Sequence, residues 1–493
     1  LHDALNKILP KKGASGMYDE SGKSVTGDAT KAYKWTEEFD DKTYSTSRVN
    51  EDVEITKRFD DCDLNYFYDE DVVTYVSRSD WGATFPTSQT TVAATAEMIQ
   101  ILKGDLYEMP EDAPSMKKLS QELSVGVMKG ILLIQLRGKD FDDPLWDEYL
   151  SQYTVEELAS YIAEGYGTKP VAKYGVPRAV MLDGPLGVVT TLPFNKEKCT
   201  TWPGEPILAA TYNKEIIRRR GEMMGEHCLW TKTMSINGPG CNLHRTPFNG
   251  RSSIYFSEDA NLTFLVSEYE ALGYRSKGAS AGAKHFVLND QEFHRIGVSQ
   301  FFTEQGLRET SLRAFENILT EDNSYACMMS FNRIGCYSQN SCSATKDVTR
   351  EEWGFKGFLQ TDASLQYSKD VVTVLWSGTD LFTADAPGYS TKGVLEQINK
   401  NDDGYLYLCL REAVKHAQYN VVNSNVMNGI SPDSTIIVHT PWWESAEIAA
   451  CVITGTFAAA SLTMLVLVEF GIIKKRKNAQ APAQETGKED VQE

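Results

Sequence analysis

Six short apolar runs in the middle of the chain stop at charged or amide side chains. Arg178-Ala-Val-Met-Leu-Asp183 ends in a carboxylate, the run Ala279-Ser-Ala-Gly-Ala ends at Lys284 and His285, and Gly357-Phe-Leu-Gln-Thr ends at Asp362. Lysine offers three hydrogen-bond donors and histidine one or two, so an adjacent pair at a strand end suits gripping vicinal hydroxyls. A Lys-His pair alone is also ordinary surface charge; what favours a site is that the other runs, 233–237, 326–332 and 372–380, end in Asn237, Asn332 and Asp380. Asp362 is the carboxylate best suited to nucleophilic attack on an anomeric carbon, because that role needs an ionised acid on a rigid strand. Asp183 sits in Asp-Gly-Pro-Leu-Gly, whose turn residues suit a fixed binding position. Asp380, within Ser-Gly-Thr-Asp, reads as a cap or turn residue.

These residues need elements to position them. Helix-period segments, 214–226, 261–271 and 303–319 among them, fall between the apolar runs. Buried parallel strands alternating with helices, with chemistry at the strands' C-terminal ends, is the pattern of a (β/α)8 TIM-like barrel. A doubly wound sheet is the competing arrangement, but no G-x-G-x-x-G follows a strand. The helical stretch 405–423 closes this unit. The seven histidines show no H-x-x-x-H spacing and no cysteine pair completes a zinc set, so no metal is expected. P-loop and G-x-S-x-G motifs are missing too, which leaves a hydrolase without cofactor.

The chain has 493 residues, 41% hydrophobic and 24% charged, with a net charge of −19. Such a body builds real cores and repels phosphates, so global disorder and nucleic-acid binding are excluded. Nine scattered cysteines read as buried thiols; Cys336 and Cys342 are near enough in sequence to bridge in an exported protein. Residues 448–468 run without a charge and are followed by a basic cluster at 474–477. That length spans a bilayer, and the cations put the C-terminus in the cytoplasm with the body outside, at the cell membrane. The stretch 37–71 is strongly acidic and solvated. From 71 to 103 a β-branched run and then a helix read as one β-α unit of an α/β domain whose remainder precedes Leu1, since the chain starts without Met or leader. Thr154 followed by Glu157 is a capping box, where a new domain opens.

Longer motifs carry a family resemblance. Gly238-Pro-Gly-Cys-Asn-Leu-His-Arg245-Thr-Pro-Phe-Asn-Gly-Arg251, then Tyr255-Phe-Ser-Glu-Asp259, then Lys284-His285-Phe with Asn289-Asp-Gln-Glu292, closely resemble glycoside hydrolase family 3. Asp183-Gly-Pro-Leu-Gly, Met328-Met-Ser-Phe-Asn and Trp353-Gly-Phe-Lys-Gly-Phe-Leu-Gln-Thr-Asp362 follow that family's pattern, over roughly residues 154–425. The resemblance implies a barrel and an α/β sandwich domain that together bind β-glucosides or related β-glycosides, and a cofactor-free, retaining, exo-acting hydrolysis. It makes Asp362 the nucleophile, has Asp183, Arg245, Lys284 and His285 hold sugar hydroxyls, and puts Met328 and Phe331 in the pocket lining. The K-H-F-x-x-N-x-x-E form is similar to the glucosidase and xylosidase branch. Phe331 stands where Tyr is usual, Val189 where Arg often ends its motif, and Ala363 where Trp commonly follows the nucleophile.

In that family the acid/base Glu comes from the sandwich domain, which here would precede the barrel in inverted order and be truncated. Asp80 is the candidate stand-in, against a cap or turn role. The resulting division is a partial α/β sandwich domain at 1–112, a connector at 113–150, the barrel at 151–430, a stalk at 431–447, a transmembrane helix at 448–473 and a cytoplasmic tail at 474–493. The expected activity is that of a single-pass, membrane-anchored β-glucosidase or β-xylosidase with a carbohydrate substrate, the membrane as its other partner, and no protein partner. The alternative is a catalytically impaired, membrane-bound carbohydrate-binding paralogue.

Overall fold

The computed structural model describes residues 53–76, 83–163, 166–189, 197–320, 323–363, 370–383, 389–438 and 442–471, with a few isolated positions before 53. It divides into two compact units, 1–434 and 435–493. The centre of the first is a sheet of six strands: β1 (Gly167–Thr168), β2 (Ala179–Asp183), β3 (Thr233–Gly240), β4 (Ser280–Phe286), β5 (Ala326–Met329) and β6 (Phe358–Gln360). They lie in the order β6-β5-β4-β3-β2-β1, all parallel except β1, which runs antiparallel to β2. Each new strand joins the edge left by its predecessor. A doubly wound sheet would reverse direction at a switch point, so this is the singly wound curl of a barrel.

Helices α1 (Ala96–Lys103), α2 (Met116–Glu122), α3 (Leu145–Ser151) and α4 (Val155–Tyr161) precede β1; α5 (Lys214–Thr231) connects β2 to β3 and α6 (Ala260–Arg275) connects β3 to β4; α7 (Val371–Trp376), α8 (Tyr389–Lys400) and α9 (Gly404–Asn423) follow β6. Thr154 caps α4 by accepting from the Glu157 amide at 3.2 Å, while Glu157 accepts from the Thr154 amide at 3.1 Å, so the capping box is formed. Gly221 of α5 and Gly273 of α6 let those helices meet: a Cβ on Gly221 would stand 2.2 Å from the Glu270 carbonyl oxygen.

The eight-stranded expectation needs correcting. Among the described residues the sheet has six strands, extended by a single parallel bridge from Gln360 to Leu381. The run 372–380 is not a strand. Asp370 accepts from the Val372 and Thr373 amides at 3.0 and 3.1 Å, and this N-cap turns the β-branched run into α7. The gap between the sheet's edges is bridged at the backbone, where Phe382 donates to the Ile162 carbonyl at 2.9 Å.

Residues 113–150, expected as a connector, instead help build a core. Leu133, Leu136, Trp146, Tyr149 and Leu150 are buried with Leu406, Tyr407, Leu410 and Val414 of α9 in one apolar cluster. The apolar positions of that stretch are hidden among charged ones, which is why composition alone suggests a connector. Upstream, residues 71–76 form no strand, and α1 packs Met98 and Ile101 against Phe67 and Cys336. Arg58 and Arg308 both pair with Glu352, tying this N-terminal segment to the barrel. All nine cysteines are free thiols, six of them buried. The second unit is α10 (Trp442–Glu469); within 445–469 the most apolar stretch of 18 residues has a mean hydropathy of 2.1 and none of it is buried.

Candidate active site

Three alternate parallel strands deliver the charged residues to one end of the sheet. β2 ends at Asp183, β4 carries Lys284 and His285 near its end, and Asp362 lies two residues beyond β6. Lys284 Nζ donates to Asp183 Oδ1 at 2.8 Å; the lysine is buried while the aspartate side chain remains 44% exposed. The pair therefore presents its open side to solvent with its charges already compensated.

His285 Nε2 stands 3.7 Å from Asp362 Oδ2. Burial, then the charges of Lys284, Arg251 and Arg295, hold the imidazole well below its usual pKa, so it is neutral. Its tautomer follows from its neighbours. Asn289 Nδ2 donates to the Tyr255 hydroxyl at 2.6 Å and to Glu292 Oε1 at 2.9 Å, which leaves the tyrosine hydrogen for His285 Nδ1 at 3.0 Å. The ring's remaining proton is then on Nε2, facing Asp362. Asn242 fixes the backbone here, accepting from the His285 amide at 2.7 Å and donating to its carbonyl at 2.9 Å.

Asp362 is mostly buried, and burial raises its carboxyl pKa above the ordinary value; the Ala363 amide and Lys284 work against this while Asp183 adds to it. Ala363 N donates to Asp362 Oδ1 at 2.6 Å. Beneath it Gln360 donates to Asn237 Oδ1 at 2.6 Å and accepts from Thr383 at 3.1 Å, so the strand end is held by side chains from three segments. Met328 on β5 is buried beside Gln360 in register. Phe331 lies under the Arg295 guanidinium, 4.4 Å from ring centre to the carbon. Asp380 accepts from Arg350 at 2.7 Å and from the Leu359 amide at 2.6 Å, a structural role as its turn sequence implies.

Not every expected residue joins this group. Arg245 is exposed, and the carboxylate its charge reaches is Asp290, whose pKa burial pushes up to about 6. Asp80 lies outside the described residues, as do 474–493. Conversely, Arg251 and Arg295 were not singled out by residue chemistry, yet both pair with Glu292, at 3.2 and 2.9 Å, and both reach His285 electrostatically. Tyr166, just before β1, faces the charges of Asp183 and Asp362. Glu292, Tyr255 and Arg251 lie inside the long motifs, whereas Arg295 lies outside them. Among the described residues no cluster of His, Cys, Asp or Glu suits a metal ion.

Known proteins resemble this chain over the barrel region. The family model described as "Glycosyl hydrolase family 3 N terminal domain" matches residues 151–403. The chain is 30% identical over 260 residues to thermostable beta-glucosidase B of Acetivibrio thermocellus, covering 50% of this chain and 34% of that protein. It is 34% identical over 220 residues to an exo-alpha-(1->6)-L-arabinopyranosidase of Bifidobacterium breve, covering 42% of this chain and 29% of that one. Beta-glucosidase 3B of Thermotoga neapolitana, solved with glycerol, superposes with a TM-score of 0.53 at 28% identity, over 57% of this chain and 43% of that one. The matched span is thus about a third of the length of these curated relatives.

Proposed function

The chain belongs to glycosyl hydrolase family 3, and from that premise we propose that it is a membrane-anchored, retaining exo-β-glycosidase acting on β-glucosides or β-xylosides. The observation that carries the reading is the convergence of Asp183, Lys284, His285 and Asp362 at the C-terminal ends of the parallel strands. Asp362 attacks the anomeric carbon and forms a glycosyl ester as the leaving oxygen takes a proton; water then breaks the ester with retention of configuration. The Nε2–H of His285 and the Lys284–Asp183 pair hold sugar hydroxyls, so the ring is oriented before attack. Met328 and Phe331 line the remainder of the sugar site. The acid that protonates the leaving oxygen is a residue beyond this group, with Asp80 as the candidate.

The test is turnover of aryl β-glucosides and β-xylosides by the full chain beside Asp362→Asn. Loss of at least about a thousandfold in kcat is expected for the variant, and equal turnover would remove Asp362 from the role. A second reading, a carbohydrate-binding protein with impaired catalysis, is favoured by Phe331, which brings no hydroxyl to the pocket and is covered by Arg295. Azide separates the two: restored turnover of an activated substrate indicates a working nucleophile, and tight sugar binding with neither turnover nor rescue indicates the binding protein.

The anchor is α10, continued by the basic residues 474–477. By the positive-inside rule these place the tail in the cytoplasm and the sugar site outside.

A further inference from the structure

Beneath the Asp183 turn lies a buried charge cluster that the sugar chemistry does not use. Arg220 on α5, Glu270 on α6 and Glu205 are all at or near zero exposure. Arg220 Nη1 donates to Glu270 Oε1, and its Nη2 donates to the carbonyl oxygen of Pro185. Tyr274 donates to the same Glu270 oxygen at 2.6 Å. Glu205 Oε1 is 3.9 Å from Arg220 Nη2, and among the described residues neither oxygen of Glu205 has a hydrogen-bond partner. One guanidinium thus faces two carboxylates. Burial and the neighbouring Glu270 raise the Glu205 pKa well above the usual range, against the pull of Arg220, and so favour its protonated form.

A buried arginine is a costly way to fill space, and burying one is offset only when its fork is used. Here one arm of the fork ends on the backbone of the turn that follows Asp183. That turn has no slack elsewhere. A Cβ on Gly184 would stand 2.7 Å from the Gly187 carbonyl oxygen, and one on Gly238 would stand 3.2 Å from Pro185. The Gly187 amide donates to the Gly184 carbonyl at 3.1 Å and the Val189 amide to the Asp183 carbonyl at 2.8 Å.

We propose that Arg220 is a positioning residue: by holding the Pro185 carbonyl from below, it sets where the Asp183 carboxylate, and through it the Lys284 ammonium, stand in the sugar site. The consequence for sugar binding rests on the glycosidase reading above; the hold on the turn does not. The cluster touches no substrate and acts only through Asp183.

The experiment combines amide hydrogen exchange with ligand binding on the full chain, for wild type, Arg220→Lys, Arg220→Met and Asp183→Asn. Lysine keeps the charge opposite Glu270 but lacks the fork. Exchange in 183–189 should therefore quicken about tenfold while amides of α5 and α6 keep their protection. The dissociation constant for 1-deoxynojirimycin should rise about tenfold, and adding Arg220→Lys to Asp183→Asn should cost little more, since both act through one carboxylate. If Arg220→Met unfolds the chain, Arg220→Lys still decides. Unchanged exchange in 183–189, or fully additive losses of affinity, overturns the proposal. If wild type neither binds the inhibitor nor turns over β-D-glucosyl fluoride, the glycosidase reading fails, and the exchange result judges Arg220 separately.

Discussion

At the scale of single residues, what distinguishes Asp362 is that its charge is contested. Burial and Asp183 push its pKa up, while Lys284 pulls it down. As the proposed nucleophile it must be ionised to attack, so kcat/KM should rise with pH through a limb lying above the ordinary aspartate value. Removing a like charge lowers that limb and removing an opposite charge raises it. A pH profile of Asp183→Asn should therefore show the acid limb at lower pH than wild type, and Lys284→Met at higher pH. Movement in the opposite directions would mean that some other group titrates there. Sequence made Asp183, Lys284, His285 and Asp362 legible because each ends an apolar run. Arg295 was not legible, because it sits in a loop outside the motifs, and although Arg251 ends one of them, the place of both depends on Glu292, a contact that no periodicity announces.

At the scale of elements, strands were easier to read than the helix that replaces one of them. The runs at 178–183, 233–237 and 279–285 became β2, β3 and β4 because each is buried on both faces. The run 372–380 has the same composition, and a single capping aspartate decided against a strand. Periodicity cannot separate such short apolar segments. Helix contacts invite a direct test. A Cβ on Gly273 would stand 2.4 Å from the Arg218 carbonyl oxygen and 2.6 Å from the Glu222 amide nitrogen, both backbone atoms of α5. Alanine improves helix propensity by about 1 kcal/mol, but the forced separation of α5 and α6 costs more. Gly273→Ala should lower unfolding stability by about 1–2 kcal/mol net, read from the urea midpoint; a gain would mean that the helices have room to part.

At the scale of the whole molecule, the acidic body and the apolar helix suit different solvents. The body carries buried cores and a half-barrel sheet, whereas 445–469 is apolar and unburied. In Triton X-114 phase separation the full chain should enter the detergent phase, and a chain ending at 434 should stay in the aqueous phase. Detergent partitioning of the shortened chain would move the anchor elsewhere. The curled sheet was legible in the recurrence of strand and helix; its six-stranded extent was not, because closure depends on packing by α4 and α9 across the gap. The proposed chemistry rests on one bond, the ester between Asp362 and the sugar. Incubation with 2-deoxy-2-fluoro-β-D-glucosyl fluoride should expel fluoride and leave the fluorosugar on the peptide that contains Asp362, detected by mass spectrometry of a digest. A label on a different carboxylate, or no label in a chain that hydrolyses aryl β-glucosides, would contradict a retaining mechanism through Asp362.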